Sequence, residues 1–159
     1  AIARVQKRTD ALLNCGGTHR PEWFHRKLGD ILYEGCGVAR DEAGLLDALT
    51  KVRELREEFW RDVKVVGTGN RLNQELEKAG RVADFIELGE VMILDALDRR
   101  ESAGAHFRNE YATEAGEAKR NDGDWCAVSA WETRPDGTKV RHSEPLSFSL
   151  IDLQVRDYR

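Results

Sequence analysis

The residue types able to do chemistry gather in three places along the chain. Cys15, His19, His25 and Cys36 are the types that build a tetrahedral zinc site. Their spacing matches no familiar zinc pattern, and all four fall near expected helix ends, so no metal is expected there. Glu87 and Glu90 stand three apart on an apolar-periodic segment, as carboxylate ligands of a di-iron bundle do. Such sites want Glu-x-x-His on facing helices, and the position three after Glu87 is Glu90. The expected arrangement is therefore one solvated glutamate and one partly buried against Arg81 or Arg53. The third place is the run Arg99-Arg-Glu-Ser-Ala-Gly-Ala-His-Phe-Arg108, which gathers charge and hydrogen-bonding capacity around small residues. Such a run can dock a neighbouring surface, or it can cap a helix whose C-terminus Arg99 and Arg100 complement. No Walker-type loop, Gly-x-Gly-x-x-Gly, nucleophile elbow or Cys-x-x-Cys is present.

The elements that must position these residues are mainly helical. Ile2, Val5, Leu12 and Leu13 lie near helical spacing and stop at Asn14 with Gly16 and Gly17. Pro21 sits in the first turn of the next helix, where a missing N–H costs nothing; its apolar face is Phe24, Leu28, Ile31 and Leu32, and Gly35 and Gly37 close it. Asp41 is a good N-cap for a third helix with the stripe Leu45, Leu49, Val52, Leu55, Phe59 and Val63. After a turn at residues 67–70, the longest run extends from about Leu72 to Arg100. Its stripe is Leu72, Leu76, Ala79, Ala83, Ile86, Ile93 and Leu97, widened by Val82, Phe85 and Met92. Gly80 and Gly89 inside it each cost about 1 kcal/mol against alanine, so both are expected where a neighbouring helix approaches closely.

Beyond Glu101 the texture changes. Residues 109–124 are polar and aperiodic and read as a loop. Trp125 to Trp131 alternates as a strand, Arg134-Pro-Asp-Gly137 is a turn, Thr138 to His142 returns, and Leu146 to Leu153 is a third extended piece. The expected fold is mainly α: an antiparallel bundle of three long helices plus a short one over residues 1–108. A loop and β-hairpin tail over 109–159 follow, packed on the bundle because a lone hairpin is marginal in water.

Charged residues make up 34% of the chain at a net charge of -4, and neither half is basic, which argues against a nucleic-acid partner. Three widely spaced cysteines do not form a disulfide framework. No apolar run approaches the roughly 18 residues of a membrane span. The sequence opens at Ala1 in what reads as mid-helix, so a piece of a longer polypeptide is expected.

The run Glu101-Ser-Ala-Gly-Ala-His-Phe-Arg108 resembles the E-S-R-G-A-H-x-R motif in the C-terminal domain of succinate dehydrogenase and fumarate reductase flavoprotein subunits. Leu72 to Leu88 is similar to the long helix before that motif. Phe24-His-Arg-Lys-Leu28, Gly37 to Gly44, Glu57-Glu-Phe-Trp60 and the tail from Trp125 to Leu146 resemble further segments of the family. Ala103 stands where many relatives have arginine; in having a small residue there the chain resembles the bacterial branch with a single membrane anchor subunit. The resemblance implies FAD in the full-length subunit, an oxidoreductase acting on succinate or fumarate, and no cofactor, metal or catalytic residue in this piece, which would be inactive alone. It also implies contacts with the protein's own flavin-binding domain and an iron–sulfur subunit, with a membrane anchor subunit reached indirectly. That places the assembly peripherally on the cytoplasmic side of a bacterial inner membrane. Arg99, Glu101, Ser102, Gly104, His106 and Arg108 would make the interdomain or subunit contact. L-aspartate oxidase and adenylylsulfate reductase share the domain plan, and a stand-alone helical adaptor is the alternative from another class. Separated from such partners, the piece would expose apolar surface and self-associate.

Overall fold

The computed structural model describes residues 1–154. Four helices carry the fold: α1 (Ile2–Asn14), α2 (Pro21–Gly35), α3 (Glu42–Asp62) and α4 (Gln74–Asp98). Local chemistry sets where α3 and α4 begin. The Asp41 carboxylate accepts from the Gly44 N–H at 2.8 Å, and the Asn73 side-chain oxygen accepts from the Leu76 N–H at 3.1 Å, each satisfying a donor the helix leaves free. The Asn73 amide also donates to the carbonyls of Val66 and Thr68, which ties the preceding turn to the helix start.

The three long helices pack on one another around Phe24 and Leu28 of α2, Leu45, Val52, Leu55 and Phe59 of α3, and Ala79, Ile86 and Ile93 of α4, all buried. The rings of Phe24 and Phe59 meet edge to face at 5.2 Å. Burying each large side chain of this set contributes about 2 kcal/mol. The bundle and the C-terminal hairpin agree with the fold class expected from the sequence.

Several expected core positions are solvated instead. Ile2 and Val5 are exposed because α1 buries only Leu12, towards its C-terminal end, and Leu72 is 96% exposed because α4 begins two residues after it. The two helix-interior glycines also differ. A Cβ on Gly89 would lie 3.2 Å from a Leu28 methyl, the expected close approach of α2, whereas Gly80 faces open space. What Gly80 offers is its carbonyl, which accepts from Arg8 of α1. The tightest approach lies elsewhere: a Cβ on Gly17 would fall 1.9 Å from the Asp62 carbonyl oxygen. There the chain leaving α1 runs beside the end of α3, with Gly17 N–H donating to Val63 and Lys64 N–H to His19.

The periodicity gave no sign of β1 (Ala39–Arg40) and β2 (Phe107–Arg108), which pair in parallel, Ala39 with Phe107 and Arg40 with Arg108. The polar stretch after them holds a 3-10 turn (Asn109–Tyr111) and one turn of helix, α5 (Asp122–Trp125). β3 (Ala127–Thr133) therefore starts later than expected, and β4 (Lys139–Pro145) runs further. Their antiparallel register pairs Ala127 with Pro145 and Thr133 with Lys139. The expected third extended piece is not a strand: residues 146–154 pair with neither, apart from the Leu146 N–H donating to Cys126. The final five residues of the tail expected over 109–159 lie outside the described residues.

Candidate functional site

The run from Arg99 to Arg108 folds into a knot at the C-terminal end of α4. Helix α4 stops at Asp98 and leaves backbone carbonyls without helical partners. Arg108 comes back to fill that vacancy: Nη1 donates to the carbonyls of Ala96 at 2.7 Å and Leu97 at 3.3 Å. Its Nε donates to Glu110 at 3.0 Å, so the buried guanidinium is both hydrogen-bonded and charge-paired. Glu110 in turn accepts from the Glu42 N–H, so one carboxylate links the end of α4 to the start of α3. Burial raises the Glu110 carboxyl, but the backbone bond from Glu42 and the Arg108 charge outweigh it and hold the group below its ordinary value.

Ser102 is fully buried and exchanges hydrogen bonds with Arg108, donating from Oγ to its carbonyl at 3.1 Å and accepting from its N–H at 2.8 Å. A hydroxyl can do both, which an alanine or valine of similar size cannot. Glu101 is also buried. One of its oxygens accepts from Nε and Nη2 of Arg99 at 2.8 and 2.6 Å, and the other from the Asn121 N–H at 2.8 Å. Between these anchors the chain turns through Gly104, at φ +59°, and the backbones of Ala103 and His106 bond each other in both directions.

His106 completes the turn. Its Nε2 lies 3.1 Å from the Arg99 carbonyl, which can only accept, so Nε2 carries the proton. Burial, with the charges of Arg40, Arg99 and Arg108 nearby, lowers the pKa against the opposing backbone bond, and the imidazole is neutral at pH 7.

The six expected contact residues are thus brought together but differ in burial, with Arg99 and His106 half-buried. Glu101, Ser102 and Arg108 face inward and spend their polar atoms inside the chain, while Gly104 lies on an exposed tip with Ala105. Sequence reasoning missed Arg40, whose Nη2 donates to the Ala105 carbonyl at 3.2 Å and whose buried Nε has no partner. It also missed Glu110. An arginine a few residues past a helix end, with a glutamate two positions later, was the available signal.

The other candidates stand apart from the knot. Glu90 is buried between α3 and α4 and accepts from Arg53 at 2.7 Å and Arg56 at 2.5 Å, while Glu87 is half exposed against Arg56 and Lys139. Burial raises the Glu90 carboxyl, and the two arginines more than reverse that, leaving it below its ordinary value. Arg81 pairs with Glu77 instead. The one Glu-x-x-His in the chain is Glu22 with His25; Glu22 bonds Lys78 and the His25 ring lies against Phe85. No group of three metal-ligating side chains converges among the described residues.

The start of α3 does not offer a free cradle for a flavin dinucleotide. A dinucleotide pyrophosphate is cradled where a strand turns through glycines into a helix N-terminus. Among the described residues the strand β1 does lead into α3, but Asp41 and Glu110 already occupy that helix's first N–H groups. Between them, α2 and α4 expose an apolar groove with Phe85, Leu88 and Met92 on its α4 side, each between 40% and 54% exposed.

The family profile described as the fumarate reductase flavoprotein C-terminal domain matches residues 25–158. The succinate dehydrogenase flavoprotein subunit of Bacillus subtilis is 25% identical over 99% of this chain and 26% of its own length. The fumarate reductase flavoprotein subunit of Escherichia coli is 31% identical over 67% of this chain and 17% of its own. An E. coli quinol fumarate reductase structure superposes at a TM-score of 0.79 and 25% identity, over 95% of this chain and 25% of that one. Adenylylsulfate reductase of Archaeoglobus fulgidus shares the fold at a TM-score of 0.73 and 17% identity, over 97% and 25%. The chain spans about a quarter of the length of the full-chain relatives it matches. On the match of the family profile, this chain belongs to the C-terminal domain family of fumarate reductase and succinate dehydrogenase flavoproteins.

Proposed function

We propose that this chain is the C-terminal helical part of an FAD-dependent succinate dehydrogenase or fumarate reductase flavoprotein subunit, and that it braces the flavin-binding domain and contacts an iron–sulfur subunit. The full enzyme exchanges a hydride between flavin and succinate or fumarate; the flavin supplies that chemistry, and this part supplies position. The observation that carries the reading is the division of labour at the knot. Glu101, Ser102 and Arg108 are buried and fix the geometry of an exposed tip at Gly104 and Ala105. At that tip Arg40, bonded to the Ala105 carbonyl, has no carboxylate partner among the described residues, so the corner offers positive charge to an acidic segment of a neighbour. Residues 1–108 and the described part of the tail, 109–154, act as one structural unit, and the apolar groove of α2 and α4 is the surface by which it packs on the rest of the subunit. Isolated from that cover, the groove drives self-association.

The test uses the native protein. Antibody raised against this chain should capture, from solubilised source membranes, a polypeptide far larger than 18.0 kDa. The captured material should carry FAD, released by acid if non-covalent or retained as fluorescence on the denatured polypeptide if covalent, and reduce a dye with succinate, but not with L-aspartate or sulfite plus AMP. A soluble flavin-free band at 18.0 kDa would refute the proposal.

A further inference from the structure

The β3–β4 hairpin lies against α4, and the bonds that hold it there are those between charged or polar side chains. Lys139 Nζ pairs with Glu87 at 2.9 Å, Arg141 Nε with Asp98 at 2.7 Å, and the Trp131 indole N–H donates to Asp95 at 2.8 Å. The three carboxylates fall on one side of α4, because residues eleven apart on a helix lie within about 20° of each other and residues eight apart within about 80°. The three hairpin residues also share a face: Trp131 and Arg141 are cross-strand partners, and Lys139 is two residues from Arg141. Arg141 is held in place from its own side, with its guanidinium 4.8 Å from the Trp125 ring and bonded to Ser129.

What the hairpin lacks is a core. No residue from Ala127 to Pro145 is buried as a whole, although the Lys139 side chain is only 8% exposed, and Trp131, half-buried, is the one large aromatic of the two strands. The outward residues Val128, Ala130, Glu132 and His142 are exposed. A two-stranded hairpin is marginal unless it packs an apolar face, and here packing has been replaced by ion pairs that dissolved salt screens. The bundle beneath is a different material, with a buried apolar interior that salt does not weaken.

We propose that the hairpin is a charge-latched arm. It has a docked state, held by Lys139–Glu87, Arg141–Asp98 and Trp131–Asp95, and an undocked state reached while the helices remain folded. Undocking uncovers the carboxylate-bearing side of α4 and opens the cleft in which Arg53, Arg56 and Glu90 meet the hairpin turn at Asp136 and Thr138. A charged surface that competes for either side of the latch moves the arm in the same way as salt.

Hydrogen exchange by mass spectrometry on the full chain, in about 0.05 M and about 1 M NaCl, reads both states. Amides of 127–133 and 139–145 should exchange on the order of tenfold faster in high salt, with the α3 and α4 core amides changed less than about twofold. Lys139→Met with Arg141→Met should show the fast exchange already at low salt and lose the salt effect. Glu87→Lys with Lys139→Glu should restore part of the protection that either single change removes. Hairpin protection indifferent to salt, or unmoved by the double substitution, overturns the latch. So does protection lost in the strands and the helices together.

Discussion

Arg108 and Arg141 both tie a late part of the chain to the last turns of α4, yet they work under opposite conditions. Arg108 is buried, bonds the carbonyls of Ala96 and Leu97, and pairs with Glu110. Arg141 is about a quarter exposed and reaches one half-exposed carboxylate, Asp98. Burial removes the competing water, so the knot around Arg108 is expensive to break and insensitive to salt. At Arg141 water and ions compete throughout, and the contact stays adjustable. One helix end therefore carries a fixed joint and a movable one made from the same kind of side chain.

The comparison breaks most visibly at the fixed joint. Arg108→Met removes the guanidinium, leaving two helix-end carbonyls without their donor and Glu110 with only the Glu42 N–H. Urea unfolding should show a loss of about 3 kcal/mol. A loss below about 1 kcal/mol would mean the knot is no stronger than the latch. Glu90→Gln comes next, at about 1–2 kcal/mol near neutral pH, because Arg53 and Arg56 are partly solvated and screened. Its sign with pH is fixed by the depressed carboxyl. The wild-type advantage is complete above the ordinary value of 4.5, fades as pH falls through the lower folded value, and is absent in strong acid. Unfolding midpoints of the two proteins should therefore converge in acid.

The smallest effect belongs to His106, whose folded pKa lies below the ordinary 6.5. The unfolded chain then binds more protons as pH drops below 6.5, and stability falls with it. His106→Gln keeps a donor near the Arg99 carbonyl and should flatten that slope, by a few tenths of a kcal/mol just below pH 6.5. A slope unchanged by the substitution would assign it to other groups.

The residues that could be read from the sequence are those whose partners are close along the chain. The stripes of α2, α3 and α4 and the cap at Asp41 follow from period and local chemistry, and so does the turn before β4. Position on an apolar stripe did not guarantee burial: Ile2, Val5 and Leu72 have the right spacing but no element opposite them. The pairing of β1 with β2 left no trace, since two-residue strands carry no alternation. At the candidate site, the presence of Glu101, Ser102, His106 and Arg108 was legible as a motif. Which of them turn inward was not, because that depends on Ala96, Asn121 and Glu42, which approach only in the folded chain.

The bond between Arg40 and the Ala105 carbonyl, together with the β1–β2 pair, closes a loop of 65 residues that contains both α3 and α4. Closing so long a loop forfeits chain entropy before its contacts return any stabilisation. The bundle's helices can gather first through shorter loops, so this closure, unlike the Ser102–Arg108 bonds between residues six apart, belongs to the late side of the folding barrier. Substitutions at Arg40 would then accelerate unfolding and leave the folding rate almost untouched, which makes this closure a governor of how long the assembled fold lasts.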